Sequence, residues 1–303
     1  MNHVRRVLTR VLERGARMFA GRGLVDRYLP FMIPLYQRLY AGLQDQTVKF
    51  VDIPMDCVLA VSSTDIGIGL LLRIKGVYEP EQTRLFLESV QPGDTVWDIG
   101  ANVGYYTVLA ARKVGPDGRV IAFEADEENL RLLTRNVRSN ECENVQIISA
   151  AVSDRIGEIA FISQRHTKGE SAIAPDRDGG DARTRLVKCI TLDSYASDTG
   201  TGPPSVVKMD IEGAEVMALE GAVTAFVGDR GINLFIEYNP PSIQKMGRQP
   251  KELLALIEQR GFVITQIVDE TRQRVTAYSV HELASTMRHG TYCNLVCVRP
   301  GRG

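Results

Sequence analysis

From residue 91 onward, apolar and polar positions alternate between two rhythms. Short apolar runs read as buried strands at Thr95–Ile99, Arg119–Phe123, Val145–Ser149, Ser205–Met209, Ile232–Tyr238, Phe262–Val268 and Leu295–Val298. Between them, 3.6-periodic stretches read as helices at Tyr105–Lys113, Asp126–Asn140, Ala214–Phe226 and Lys251–Arg260, the last ended by Gly261. Strands alternating with helices at this spacing predict an α/β fold: a mostly parallel seven-stranded sheet with helices on both faces. A further short strand is expected at 158–163, and the polar, Gly-, Asp- and Arg-rich stretch 164–185 reads as a loop.

The chain before residue 91 has a different texture. Val4, Val7, Leu8, Val11, Leu12, Met18 and Phe19 recur at helical spacing with arginines between them, so 3–20 reads as a basic amphipathic helix stopped at Gly21 and Gly23. Residues 28–40 carry four aromatics and are broken by Pro30 and Pro34. The stretch 47–75 reads as β-rich (Val48/Phe50, Val58–Val61, Gly69–Ile74) and leads into a helix over Glu81–Val90, with Pro80 well placed at its start. The expected organisation is an N-terminal helical extension over 1–45, a small β-rich cap with a lead-in helix over 46–90, and one large domain over 91–303.

Composition narrows this picture. A net charge of −1 gives no global reason to expect nucleic acid as partner. Residues 1–27, however, hold seven arginines against Glu13 and Asp26. That basic face beside aromatics suits peripheral membrane contact through residues 1–40; a solvated helix covering the core and an arginine-rich transit segment are the other readings. No apolar run is long enough to span a bilayer, and no secretory signal precedes one. The five cysteines show no CxxC pair and read as small core residues in a reducing compartment, which places the chain in the cytoplasm, with membrane association as an option.

The candidate chemistry gathers at the expected strand ends. Asp98 closes the first strand, and Gly100 and Gly104 bracket a loop that runs directly into a helix, where free N–H groups face an anionic ligand. A dinucleotide loop carries three glycines; here Asn102 stands where the middle one would be. An acid before a wider loop suits S-adenosylmethionine, which carries both a carboxylate and an ammonium, with Asp98 and the loop carbonyls meeting the ammonium. Glu124 ends the second strand, where an acid bridges ribose hydroxyls, although it also reads as a surface acid at a helix start. The small residues around Ala151, after the third strand, leave room for an adenine ring. Tyr105 and Tyr106 read either as packing over the cofactor or as helix core.

The ordered set Asp98-Ile-Gly-Ala-Asn-Val-Gly-Tyr-Tyr-Thr107, Gly118-Arg-Val-Ile-Ala-Phe-Glu124, Asn136-Val-Arg-Ser-Asn140, Thr191-Leu-Asp-Ser-Tyr195 and Lys208-Met-Asp-Ile-Glu-Gly-Ala-Glu215 resembles the FkbM family of methyltransferases. The likeness covers roughly residues 76–268, beginning at Gly76-Val-Tyr-Glu-Pro80, and departs from the family at Ala125, where proline is usual. It implies a Rossmann-like class I methyltransferase fold, S-adenosylmethionine as cofactor, and methylation of a hydroxyl on a sugar, glycolipid or natural product. Glu79 joins the expected cofactor contacts on the same likeness.

Methyl transfer to an alcohol requires alignment and removal of the hydroxyl proton. Lys208 and Asp210 at the fourth strand end and Glu237 at the fifth are the candidate catalytic residues. Asp210 serves as base or cofactor contact. Alternatively, Asp210, Glu212 and Glu237 hold a divalent metal such as Mg. Plainer roles are an ion pair for Lys208 and helix-dipole stabilisation for Glu212 and Glu215. His166 is a candidate acid/base on the 164–185 loop. The rival activities are an N-methyltransferase of the same fold, disfavoured because Asp210-Ile-Glu-Gly replaces the usual aromatic-proline loop, and an NAD(P)-dependent oxidoreductase, disfavoured by the missing glycine.

Overall fold

The computed structural model describes residues 48–163, 172–174, 184–288 and 292–301. The expected helices within 1–45, His166 and most of 164–185 lie outside these described residues.

The described chain opens with an antiparallel hairpin, β1 (Val48–Ile53) and β2 (Cys57–Ser62). The stretch Gly69–Ile74, expected as a strand, is instead part of helix α1 (Ile68–Lys75). Its continuous Ile/Leu run carries no alternation that separates a buried helix from a buried strand. The deciding signal is Asp65, whose carboxylate accepts the N–H groups of Gly67 at 2.9 Å and Gly69 at 2.8 Å and so satisfies the start of the helix. Helix α2 (Pro80–Ser89) follows, with proline in its first turn as expected.

Then comes the alternating unit: β3 (Thr95–Ile99), α3 (Tyr105–Val114), β4 (Arg119–Glu124), α4 (Glu127–Ser139) and β5 (Val145–Ser149). Asp126 caps α4 by accepting from the N–H groups of Glu128 and Asn129. A second, four-stranded sheet interrupts the pattern. It is built from β6 (Ala151–Val152), β7 (Gly157–Ile162), β8 (Ala172–Ile173) and β9 (Thr184–Ile190) in the order 6-9-7-8. Its β8 and the start of β9 fall within the stretch expected as loop, whose charged and glycine-rich composition hides two exposed-face strands.

The main sheet resumes after α5 (Leu192–Thr199) with β10 (Val206–Met209), α6 (Glu215–Glu220), β11 (Ile232–Tyr238), α7 (Pro240–Lys245), α8 (Pro250–Gln259), β12 (Val263–Asp269), β13 (Arg274–Ala277), α9 (Val280–Met287) and β14 (Cys293–Arg299). The expected helix Ala214–Phe226 is cut to α6, which ends at Gly221, a residue so close to the Ser153 carbonyl that a Cβ there would lie 2.3 Å from it. Beyond it the Asp193 carboxylate accepts three successive backbone N–H groups, from Val223, Thr224 and Ala225.

The main sheet has eight strands, one more than expected, in the order 13-12-14-11-10-3-4-5. The extra strand is β13, an edge strand of four residues with little apolar alternation to betray it. Pairs β4–β5, β3–β4, β3–β10 and β10–β11 are parallel, while β14 runs antiparallel between β11 and β12. The chain therefore winds outward from β3 to β5 and returns to the other side of β3. The β3–β10 junction is the point where the winding reverses, which is where open α/β sheets bind ligands.

Strand alternation sorts the two faces. Trp97, Ile99, Ile121, Phe123, Val207, Met209, Leu234 and Ile236 bury against α5, α6 and α8 on one face. Val96, Val120, Val206 and Phe235 bury on the other, against the hairpin, α2 and α3. Asn136 of α4 ties the hairpin to the β3–α3 loop: it accepts from Ala60 N–H at 2.6 Å and donates to the carbonyls of Ala60 and Val103. Asn136→Ala leaves these buried groups unpaired and is expected to lower unfolding stability by about 2–4 kcal/mol. Urea denaturation checks this, and a loss below about 0.5 kcal/mol contradicts the bridging role.

Candidate active site

The loop after β3 is shaped by two glycines. Gly100 has φ +84°, and a Cβ on it would lie 2.0 Å from the Asp210 carbonyl, so only glycine lets the β3 and β10 ends pack together at the reversal point. Gly104 has φ +90° and caps α3 against Leu133. Between them Asn102 takes a left-handed conformation at φ +52°, and its N–H donates to Glu124 Oε2 at 2.7 Å.

Glu124 accepts three backbone N–H groups in all, the others from Ala125 and Asp126 at its Oε1. It is 7% exposed. Burial pushes its pKa up to about 7, against the lowering effect of those N–H bonds. A carboxylate has room for about four acceptor contacts, so capacity remains for a hydroxyl.

These ends enclose a cleft at the reversal point, where open α/β sheets bind small ligands. Gly100, Asn102, Glu124, Ala151 and Asp210, five of the candidate cofactor residues, line it together. Ile99, Phe123, Ala125, Ala150 and Val152 add an apolar wall. Phe161 of β7 and Ile173 of β8 complete it, a contribution sequence reasoning missed: the strand expected at 158–163 was given no place at the site, and Ile173 fell in the stretch read as loop. Asn102, one of the lining residues, has a buried Oδ1 with no hydrogen-bond partner among the described residues.

Asp98, Gly104, Glu79 and Tyr105 are not in the cleft lining. Asp98 is buried on the opposite sheet face, accepting from the Thr107 hydroxyl, and burial pushes its pKa up to about 6. Tyr105 and Tyr106 pack edge-to-face in the core beside α2. The Tyr106 hydroxyl donates to Glu79 Oε2 at 2.9 Å.

That second face carries a row of polar groups. Lys208 lies beside Asp98 in the β3–β10 register, and Glu237 beside Asn294 in β11–β14. The Lys208 ammonium is 1% exposed, 3.1 Å from Asp210 Oδ2 and 5.2 Å from the Tyr106 ring centroid. Burial pulls its pKa down, but Asp210, Glu79 and Asp98 outweigh that, and the net direction is upward. Glu79 sits at φ +42°, a strained backbone for a non-glycine residue, and receives Gln82 and Tyr106 at Oε2 and Asn294 at Oε1. Burial raises its pKa against the opposing pull of Lys208.

Asp210 joins the two regions, lining the cleft and pairing with Lys208. Its carboxylate gathers with those of Glu215 and Glu237, ligand oxygens within 4.8 Å of one another. Glu215 therefore takes the place in this group that sequence reasoning assigned to Glu212, whose backbone turns at φ +55°. Burial raises Glu215 to about 7; burial followed by Asp210, Glu212 and Glu215 raises Glu237 well above the carboxylate range.

A glycine-turned loop at the reversal point, an acid on the neighbouring strand end and an apolar slot beside it define a Rossmann-like, S-adenosylmethionine-dependent methyltransferase. Within that class the chain belongs to the FkbM methyltransferase family, whose domain profile matches residues 98–264, more than half of the chain. Hexuronic acid methyltransferase AglP from Haloferax volcanii is 26% identical over 193 residues, which span 61% of this chain and 76% of that protein. Arsenite methyltransferase from Halobacterium salinarum is 38% identical over 74 residues, 24% of this chain and 17% of its own. The structure of an O-methyltransferase from Bacillus cereus in complex with S-adenosylhomocysteine superposes with a TM-score of 0.42 at 15% identity, over 73% of this chain and 78% of that one. The oxidoreductase alternative falls with the family assignment. Among the described residues, no helix is long and apolar enough to cross a membrane.

The raised pKa of Glu124 makes stability depend on pH with a definite sign. Between the unfolded value of 4.5 and the folded value of about 7, the folded state holds more protons than the unfolded one, so stability falls as pH rises through that window. Thermal unfolding of ligand-free protein is expected to show this slope, to which the raised Asp98, Glu215 and Glu270 also contribute, and Glu124→Gln to make it shallower by about one group's share; equal slopes in the two proteins contradict the assignment.

Proposed function

We propose that the chain transfers a methyl group from S-adenosylmethionine to a hydroxyl of a sugar, glycolipid or related small-molecule acceptor, with Asp210 as the general base. The observation that carries this reading is the position of Asp210, at once on the cofactor cleft and on the polar row beside it. The sugar acceptor is supported by the hexuronic acid methyltransferase relative.

The cleft residues fit the cofactor. Glu124 offers its remaining acceptor capacity to a ribose hydroxyl, and Phe161, Ile173 and Ala151 form an apolar slot suited to a planar base. Asn102 Oδ1 is an unmet acceptor in the same cleft. Gly100 keeps the loop close to β10 and free of side-chain bulk. Glu79, Asp98 and Lys208 act from the opposite face, where they hold the strand ends and set the charge beneath the loop.

The bound cofactor supplies an electrophilic methyl on a sulfonium, which is displaced in line by the acceptor oxygen. The protein's tasks are to align that oxygen and to take its proton. Asp210 reaches the cleft with its carboxylate held at one oxygen by Lys208 Nζ, which leaves the other to accept a hydroxyl proton. Glu237, one strand further on, lies behind the cleft lining with its carboxylate near that of Asp210.

Calorimetry with S-adenosylhomocysteine and a labelled-methyl screen of neutral sugars and uronic acids test this together. Glu124→Ala is expected to weaken binding about tenfold or more, as the loss of a buried charged hydrogen bond predicts. Asp210→Asn is expected to lower the transfer rate about a hundredfold or more. Unchanged affinity in Glu124→Ala removes its cofactor role; an unchanged rate in Asp210→Asn removes the base.

A further inference from the structure

We infer that Asp210, Glu215 and Glu237 form a binding site for one hard divalent cation, of the magnesium or manganese kind, at the edge of the cleft. The ligands come from three separate elements: the end of β10, the first turn of α6 and the end of β11. Their oxygens already lie within 4.8 Å of one another. Oxygens around an octahedral cation at ~2.1 Å are ~3–4 Å apart, so only small side-chain rotations separate this arrangement from a coordination shell.

A second observation points to a ligand. Glu215 is 0% exposed and Glu237 6%, and the Oε2 atom of each is buried without a hydrogen-bond partner among the described residues. Buried carboxylate oxygens are ordinarily paired, and two that are not, in one cluster, require a cation or a proton. The Glu215 carboxylate is oriented by its other oxygen, which accepts the Ile211 N–H at 2.9 Å and leaves Oε2 for the cluster. Lys208 does not fill the need: its ammonium is bonded to Asp210 and is drawn on by Glu79 and Asp98 as well.

All-oxygen, anionic donors select a hard cation over zinc or copper. Asp210 is the least buried of the three and lines the cleft, so the open coordination positions face the acceptor side. A hydroxyl bound there would lose its proton more readily, with Asp210 or a bound water as the recipient. This purpose rests on the methyl-transfer reading; the binding itself does not.

Electron paramagnetic resonance of Mn²⁺ titrated into the full-length, chelator-stripped protein tests the site, with S-adenosylhomocysteine calorimetry run on the same sample. The expected result is about one Mn²⁺ per chain, displaced by Mg²⁺, with affinity reduced about tenfold or more in both Glu215→Gln and Glu237→Gln. Glutamine keeps the acceptor for Ile211, and circular dichroism shows whether each variant is folded. If either variant does not fold, the other decides. Absence of Mn²⁺ binding at millimolar concentration, or binding undiminished in the folded variants, overturns the site. Failure of S-adenosylhomocysteine to bind, by contrast, counts against the methyltransferase reading and leaves the cation site standing if Mn²⁺ still binds.

Discussion

The ammonium of Lys208 lies inside the sheet, bonded to Asp210 and within the field of Glu79 and Asp98. Four separate parts of the chain meet through it: the lead-in to α2, the end of β3, the end of β10 and, by way of Asn294 on Glu79, β14. Breaking one partner of such a buried group costs far more than a surface pair is worth, since the remaining charge is stranded in a medium that solvates it poorly. The strand ends that carry the cleft are thus held from behind by electrostatics, and the strained backbone of Glu79 is tolerated because its carboxylate has three donors and a cation to answer to.

In front of that row, the cleft depends on close approach instead of charge. Gly100 brings the β3 end against the Asp210 carbonyl, and the Asn102 N–H ties the loop to Glu124 on the next strand. The same Glu124 carboxylate organises the turn into α4 through Ala125 and Asp126. Ala125, where the family usually has proline, supplies an N–H that proline lacks and uses it to bind Glu124. The turn is therefore held by a hydrogen bond in place of a ring.

Much of this was legible in the sequence because buried parallel strands are short apolar runs with a period of their own. Seven of the eight main strands follow from that pattern, and Gly100, Asn102, Glu124, Ala151 and Asp210 meet in one cleft as their places at strand ends require. What stayed hidden has physical causes. The edge strand β13 and the exposed-face strands β8 and β9 bury too little to show alternation. Helix α1 was masked by an apolar run that suits either element, and Asp65, which decides the matter, acts through its side chain. Glu215 looked like a helix-start acid; only the turn at Glu212 and Gly213 swings it into the group with Asp210 and Glu237.

The central claim is that the methyl donor sits where β3, β4 and β10 end. Amide hydrogen exchange with and without S-adenosylhomocysteine tests it without any knowledge of the acceptor. Protection is expected at 99–104, 123–126, 150–152 and 210–214, with Phe161 and Ile173 of the second sheet included. Saturating ligand that protects none of these segments, or protects a different edge of the sheet, contradicts the account.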